Sequence, residues 1–320
     1  MPEPHDKLEL RGAPGRADQA FHGLAVGAAA VVLLVLALIA LQMSGRMGPV
    51  LDRMGFDYFT STRWSPGERL FGALPFLWGT LYTAAIALLL AVPVSLSVAL
   101  FVTQVASPKL RRPLIYVLDL LAVIPSVVYG LWGVLVLAQP LQGVYVKIHN
   151  AVDGIPVLQS IFGDSPQGRS FMTAGVILAI MITPIITSLA REVIETTPPS
   201  DKEAAYALGA TRWEMIRASV LPHSKGGLVG AVMLGLGRAM GETIAAALVI
   251  GSSIGQITIN AFAPGNSMPA VIANEWGEAD ELHKSAMIAL ALLLFAITII
   301  VNLVASAIVQ RSMRHSRGAL

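Results

Sequence analysis

Long runs of apolar residues divide the chain into segments of membrane-spanning length. Residues 23–41 contain no polar side chain, and residues 79–102 contain no charged one. A helix needs about 20 predominantly apolar residues to cross the hydrocarbon core of a bilayer. The pattern therefore predicts six transmembrane helices, at about 23–43, 79–102, 113–138, 171–190, 225–250 and 285–309.

The polar segments between these runs predict the orientation in the membrane. Of the 22 Lys and Arg residues, fourteen fall on the side that would hold both termini and the loop 191–224. Seven fall on the other side and one lies within a span, and the side richer in Lys and Arg normally faces the cytoplasm. The sequence predicts a disordered cytoplasmic tail at residues 1–22, the transmembrane domain at residues 23–310 and a basic cytoplasmic tail at residues 311–320. A cleaved signal peptide is the alternative interpretation of the first span, but its apolar run is long and no A-x-A site follows it.

Composition agrees with an all-α polytopic membrane protein. The mean hydropathy is +0.68, and only 13% of the residues are charged, about half the share in soluble domains. The absence of Cys excludes disulfides and thiolate metal sites. The six His are scattered and the net charge is only +2, so neither a metal site nor nucleic-acid binding is expected. No phosphate-binding G-x-x-x-x-G-K-[ST] loop is present, so any ATP hydrolysis must belong to another chain.

A charged loop at 198–222 carries the signals of two short helices. Ser200 is a predicted N-cap whose capping box Glu203 completes, and Gly209 would end that helix. Thr211 is a second predicted N-cap, and its helix would stop at Pro222. The pattern is open to two interpretations, a plain helical hairpin or a docking element for a partner protein.

The same loop resembles a known motif. Glu203-Ala204-Ala205, then Gly209, then Leu221-Pro222 match the EAA loop of ABC importer permeases, with Ser219 where Ile is usual. The runs 237–243 (Gly-Arg-Ala-Met-Gly-Glu-Thr) and 111–133 resemble the PstC-type permease subunits of phosphate importers, and the resemblance extends from about Phe71 to the end.

This resemblance implies a type I (MetI-like) ABC importer permease fold in the bacterial cytoplasmic (inner) membrane, with both termini inside. It also implies three kinds of partner: a PstA-type permease subunit, a PstB-type ATPase dimer and a PstS-type phosphate-binding protein, besides membrane lipid. The ATPase would use ATP and Mg²⁺, whereas this chain would bind no cofactor and catalyse nothing. The residues implied in ATPase coupling are Glu203, Ala204, Ala205, Gly209, Leu221 and Pro222. Alternatives are a sulfate or molybdate importer, a secondary phosphate transporter and a membrane sensor of phosphate supply.

Two charges interrupt the fifth predicted span. Arg238 and Glu242 are four residues apart, which would place them side by side on one helix face. A charge near the bilayer centre costs at least ~2.5–3.5 kcal/mol, so such residues are usually functional. The pair is interpreted either as a structural ion pair or as the lining of an anion path, and the resemblance implies the second.

Two further patterns lie in or near the spans. The glycine pairs Gly226/Gly230 and Gly237/Gly241 predict close helix packing. Asp119 lies near the start of the third span and is expected to pair with Arg111 or Arg112.

Overall fold

The computed structural model describes residues 16–163 and 166–317, with side chains for 18–163 and 166–307. The described chain is largely helical, with one short antiparallel hairpin that pairs β1 (Trp64–Ser65) with β2 (Leu70–Phe71). The longer helices are α1 (Arg16–Arg46), α4 (Leu74–Leu100), α5 (Pro108–Val123), α7 (Ala138–Ala151), α9 (Phe171–Glu195), α12 (Leu221–Gly241) and α15 (Glu281–Arg317). The shorter helices are α2 (Gly48–Met54), α3 (Asp57–Thr60), α6 (Ser126–Trp132), α8 (Pro156–Ile161), α10 (Pro199–Ala207), α11 (Arg212–Met215), α13 (Ile244–Val249) and α14 (Met268–Glu275).

Five helices among the described residues are long and apolar enough to cross a membrane. They are Asp18–Arg46, Leu74–Val105, Ser126–Ala151, Phe171–Glu195 and Glu281–Ala307. Four of them overlap the first, second, fourth and sixth predicted spans. The all-α polytopic architecture is therefore confirmed, whereas the count of six stays a prediction.

The third predicted span, 113–138, does not coincide with a single helix. The apolar helix of spanning length begins at Ser126 and continues through α6, a π-helical turn and α7 to Ala151. The preceding helix α5 ends at Val123, because Pro125 forces Ile124 out of the helical region, to ψ 126°. Hydropathy alone did not separate the two helices, because the residues on both sides of Pro125 are mostly apolar.

The fifth predicted span, 225–250, is a broken helix. The chain is helical from Arg212 and does not stop at Pro222 as predicted. A π-helical turn at Ile216–Val220 precedes Pro222. This turn accommodates the proline, which has no backbone N–H to donate within the helix. Helix α12 then ends at Gly241, and the short α13 follows after a two-residue interruption.

Helix α9 is the centre of the bundle and packs between α4 and α12. Two glycines let α12 approach α9: a Cβ on Gly227 would lie 2.4 Å from Val193, and one on Gly235 would lie 2.6 Å from Ile186. The predicted packing glycines Gly230, Gly237 and Gly241 are different, because a Cβ on any of them would meet no atom within 4 Å. Within this chain, the close contact of α12 with α9 therefore uses other glycines than these three.

A compact aromatic cluster covers the end of the bundle that holds the β-hairpin. Trp64 packs edge-on against Phe71 and Phe76, and the Trp64 Nε1–H donates to Glu275 at 2.8 Å. The buried Tyr58 hydroxyl donates to the Ala286 carbonyl oxygen at 2.7 Å, and burial raises the pKa of this phenol. The segment 47–73 is therefore tied to α15 and not a free loop.

The predicted disorder of the N-terminal tail differs from the structure where the two can be compared. Residues 16–22 form the first turns of α1, and residues 311–317 continue α15 as a helix. The rest of both predicted tails, residues 1–15 and 318–320, lies outside the described residues. Helix formation spreads into both tails because propagating an existing helix is easier than nucleating a new one.

Candidate functional site

The loop 198–222 folds into two helical segments, but its first predicted cap is wrong. The N-cap of α10 is Pro198, and Pro199 occupies the first helical position. A proline is favoured there because its φ is already helical and its missing N–H would have no partner. Ser200 therefore lies inside the first turn, where its hydroxyl is 3.3 Å from the Asp201 carboxylate.

Gly209 ends α10 as predicted. Its φ of +83° is left-handed, a conformation that glycine adopts without steric cost. Its N–H donates to the Tyr206 carbonyl at 2.9 Å, and the Ala210 N–H donates to the Ala205 carbonyl at 3.1 Å. These two bonds form a Schellman motif, which satisfies carbonyls that the helix end would leave unpaired.

Thr211 caps the next helix, and this prediction is confirmed. The Glu214 N–H donates to the Thr211 hydroxyl oxygen at 3.4 Å, while the Thr211 N–H donates to the Glu214 carboxylate at 2.8 Å. The Thr211 backbone N–H and, secondarily, its hydroxyl lower the pKa of Glu214, since both stabilise the charged carboxylate. The box sets the direction in which the chain leaves the Gly209 turn.

The hairpin is anchored to the bundle by its second half. Met215, Ile216 and Val220 are buried against Ala99 and Ile194, which lie near the ends of α4 and α9. The Ser219 hydroxyl donates to the Asp201 carbonyl oxygen at 3.1 Å. A polar link thus joins α10 to this anchor.

The outer face of the hairpin is exposed and partly apolar. Leu208 is 90% exposed and Trp213 is 60% exposed, on either side of the Gly209 turn. Glu203, Ala204, Gly209 and Pro222 are also exposed, whereas Ala205 and Leu221 are partly buried against the anchor. The sequence interpretation missed Leu208 and Trp213. A large apolar residue on each side of the Gly209 turn, in an otherwise polar loop, is the signal that could have identified them.

Arg238 and Glu242 form no ion pair in the part of the chain that the structure describes. Helix α12 ends at Gly241, and Glu242 follows as its C-cap, with ψ 125°. The backbone therefore leaves the helix directly after Glu242. The assignment of both residues to translocation stays a prediction.

Glu242 is buried in the interruption between α12 and α13. Its carboxylate accepts the Ala245 N–H at 3.2 Å, which satisfies one donor in the first turn of α13. The α6 helix packs directly on this segment, since a Cβ on Gly130 would lie 2.9 Å from the Ala245 Cα. The buried Glu242 carboxylate therefore lies where the break between α12 and α13 meets α6, the helix that begins just after Pro125.

Arg238 lies on the open face of α12 and lines a cleft of about 680 Å³. The walls of the cleft are Ile185, Gly230, Met233, Leu234, Gly237, Asn302 and Ser306. An arginine fork suits the oxygens of a phosphate or carboxylate. The cleft has room for a small oxyanion beside a fixed positive charge.

The expected partner of Asp119 differs from the observed contacts. Arg111 forms its ion pair with Glu195 at the end of α9, and Asp119 lies on the exposed surface of α5. This pair links α5 to the base of the hairpin, because Glu195 is the last residue of α9 and the hairpin follows it.

The chain was compared with known protein families and curated proteins. The model of the family described as "Binding-protein-dependent transport system inner membrane component" matches residues 91–314. A protein of Xylella fastidiosa named phosphate transport system permease protein PstC is 42% identical over 96% of this chain and 94% of its own length. Proteins with the same name in Haemophilus influenzae and Mesorhizobium japonicum are 41% and 42% identical over 91% and 92% of this chain, and over 92% and 90% of their own lengths.

Solved structures share the fold. A bacterial alginate ABC transporter chain superposes with a TM-score of 0.58 at 17% identity, covering 93% of this chain and 96% of its own. A chain of the MetNI methionine ABC transporter superposes with a TM-score of 0.55 at 17% identity, covering 74% and 95%. At this identity the similarity concerns the fold alone.

Proposed function

Because the chain belongs to the binding-protein-dependent transport system inner membrane components, and among them to the PstC-type permeases, we propose that it is the membrane-spanning subunit of an ATP-driven importer of inorganic phosphate. Members of this family are transport subunits of the inner membrane and not enzymes. The observation that supports phosphate most directly is the 42% identity to a phosphate permease over 96% of the chain.

The proposed path runs past Arg238 at the interface with a second, PstA-type permease subunit. Arg238 is exposed toward a cleft and has no acidic partner among the described residues, so its charge is available to an anion. Glu242 lies one helix break away and would weaken the attraction. Conduction needs such a compromise, because an anion that is held too tightly does not leave.

Coupling to the energy source is proposed to use the hairpin 198–222. Its α10 helix and the Gly209 turn would dock on a PstB-type ATPase dimer, which binds ATP and Mg²⁺. Leu208 and Trp213 offer the large exposed side chains that commonly anchor protein interfaces. The anchor at Met215 and Val220 would pass the movement of the hairpin to α4 and α9, since these side chains pack against both helices.

The orientation follows from the distribution of Lys and Arg. We propose that both termini and the hairpin face the cytoplasm, with the aromatic cluster around Trp64 on the outside. A PstS-type binding protein would deliver phosphate to that outer surface.

Uptake of labelled phosphate and labelled sulfate, in cells with and without this gene, tests the proposal. Both anions are supplied at limiting concentration, and a parallel sample is depleted of ATP. The expected result is a loss of ATP-dependent phosphate uptake with sulfate uptake unchanged. Loss of sulfate uptake would instead indicate another oxyanion importer, and uptake that survives ATP depletion would indicate a secondary transporter. Normal uptake of both anions would favour a signalling role.

A further inference from the structure

Two polar side chains of α15 lie in the same cleft as Arg238. Asn302 and Ser306 are one helical turn apart and face Gly230, Gly237 and Arg238 of α12 across about 680 Å³. Their neighbour Leu303 is 65% exposed and does not line the cleft. The cleft thus has a polar wall on α15 beside an apolar surface on the same helix.

The cleft extends along the helices from Arg238 toward the end that carries the hairpin. Gly230 lies eight residues before Arg238 on α12, or ~12 Å closer to the hairpin. On α15, Asn302 lies 21 residues beyond Glu281, or ~31 Å from the end of the bundle that holds the aromatic cluster. A hydrocarbon core is ~30 Å thick, so Asn302 and Ser306 lie near its boundary on the hairpin side.

The polar side chains of the cleft lack protein partners within the described residues. Neither Asn302 nor Ser306 makes a side-chain hydrogen bond there, and Arg238 forms no ion pair. An unsatisfied amide or hydroxyl in hydrocarbon costs several kcal/mol, so lipid is a poor occupant of this space. Water and a small hydrated anion would satisfy all three side chains.

The glycines on the facing wall keep the cleft open. A Cβ on Gly230 or Gly237 would meet no atom within 4 Å, so these positions are not required to be small for packing within this chain. Larger side chains there would project into the cleft instead. Gly227 and Gly235, on the other face of α12, do the packing against α9.

We propose that this cleft is the cytoplasmic half of the anion path, and that Asn302 and Ser306 hydrogen-bond the anion after it leaves Arg238. Asn offers N–H donors and Ser a hydroxyl donor, both of which match the acceptor oxygens of phosphate. Neutral donors suit an exit, because they replace part of the hydration of the anion without adding a charge that would retain it. This inference rests on the proposed function and adds the residues beyond Arg238.

The absence of Cys from the chain permits a clean test by thiol labelling. Single variants Asn302→Cys, Ser306→Cys and the matched control Leu303→Cys are assembled in the complete importer, in inside-out vesicles. Anionic and cationic membrane-impermeant methanethiosulfonates are applied from the cytoplasmic side, and modification is read as the mass of this subunit. Ser306→Cys is nearly isosteric, so it reports even if Asn302→Cys reduces assembly.

We expect the two cleft cysteines to react faster than Leu303→Cys, since a thiol that faces lipid ionises less than one in a water-filled cleft. Arg238 should favour the anionic reagent, and adding Arg238→Gln should lower the ratio of anionic to cationic rates by roughly tenfold. Excess inorganic phosphate should slow labelling of both cleft cysteines. Rates equal to that of Leu303→Cys, or a ratio that Arg238→Gln leaves unchanged, would overturn the inference.

Phosphate uptake by the unsubstituted complex, assembled in the same way, separates this inference from the proposed function. Normal ATP-dependent uptake by that complex with unreactive cleft cysteines in the variants would refute the cytoplasmic exit alone. Labelling as expected, with no phosphate import by the unsubstituted complex, would refute phosphate as substrate, while the water-filled cleft would stand.

Discussion

Gly209 should be essential for the docking geometry of the hairpin 198–222, and two substitutions separate its contributions. Gly209→Ala keeps the backbone N–H but places an L-residue at φ +83°, which costs about 1–2 kcal/mol. The added methyl group meets no atom within 4 Å, so this cost is conformational only. Gly209→Pro fixes φ near −65° and removes the N–H that donates to Tyr206, worth a further ~0.5–1.5 kcal/mol.

The expected result is a graded loss of ATPase binding. A conformational cost of about 1–2 kcal/mol lowers the population of the docked geometry by roughly 5- to 30-fold, and the apparent affinity falls in proportion. The alanine variant should therefore bind the ATPase subunit weakly, and the proline variant should lose it during purification. Co-purification yield and titration of the detergent-solubilised subunit with its ATPase measure both effects.

Gly277→Ala is the matched control, because Gly277 has no left-handed φ and a Cβ there meets no atom within 4 Å. It lies at the opposite end of the bundle and should leave ATPase binding unchanged. Co-purification of Gly209→Pro at wild-type yield would refute docking through this turn. If the proline variant fails to accumulate in the membrane, the affinity of Gly209→Ala still decides the matter.

Three other perturbations test separate parts of the structure. Arg238→Gln should lower phosphate uptake by at least about tenfold with the complex still assembled, whereas Arg238→Lys should retain part of it; normal uptake by the Gln variant would remove Arg238 from the path. Gly235→Val should destabilise the bundle by about 1–3 kcal/mol, because the larger side chain overpacks against Ile186. Its thermal unfolding midpoint should be lower than that of Gly237→Val, and equal midpoints would contradict the packing described. The pKa of the Glu214 carboxyl is lowered, so the carboxylate stabilises the capping box fully at pH values above 4.5, its ordinary pKa. This stabilisation is lost as the pH falls through the folded pKa. Protection of the Thr211 amide from hydrogen exchange, corrected for intrinsic rates, should fall with pH in the wild type but not in Glu214→Gln, and the same decline in both would contradict it.

Local signals in the sequence predicted the parts of the hairpin that depend on neighbouring residues. The Gly209 turn and the Thr211 box each involve residues within five positions, so their chemistry can be read directly. Ser200 was assigned wrongly because two local signals competed there. The Pro198-Pro199 pair outweighed the Ser–Glu box, since a proline at the first helical position both fixes φ and removes an unpaired donor.

Long-range features were less accessible from the sequence. Hydropathy located most of the apolar helices but did not resolve the break at Pro125. A proline in an apolar segment either lies within a continuous helix or separates two helices. Pro93 and Pro184 lie within continuous helices, whereas Pro125 separates two. Which outcome occurs depends on the packing around each proline, and one sequence does not contain that information.

The end of helix α12 at Gly241 changes the roles expected for Arg238 and Glu242, the two charged residues of the fifth predicted span. An ion pair with Glu242 would neutralise Arg238. In the structure, Glu242 is buried and accepts the Ala245 N–H, while Arg238 remains on the open face next to Asn302 and Ser306. The positive charge of Arg238 therefore faces the cleft, and the carboxylate lies at the joint between α12 and α13. A rearrangement of that joint would move Glu242 relative to Arg238, so the same pair could hold an anion in one state and release it in another.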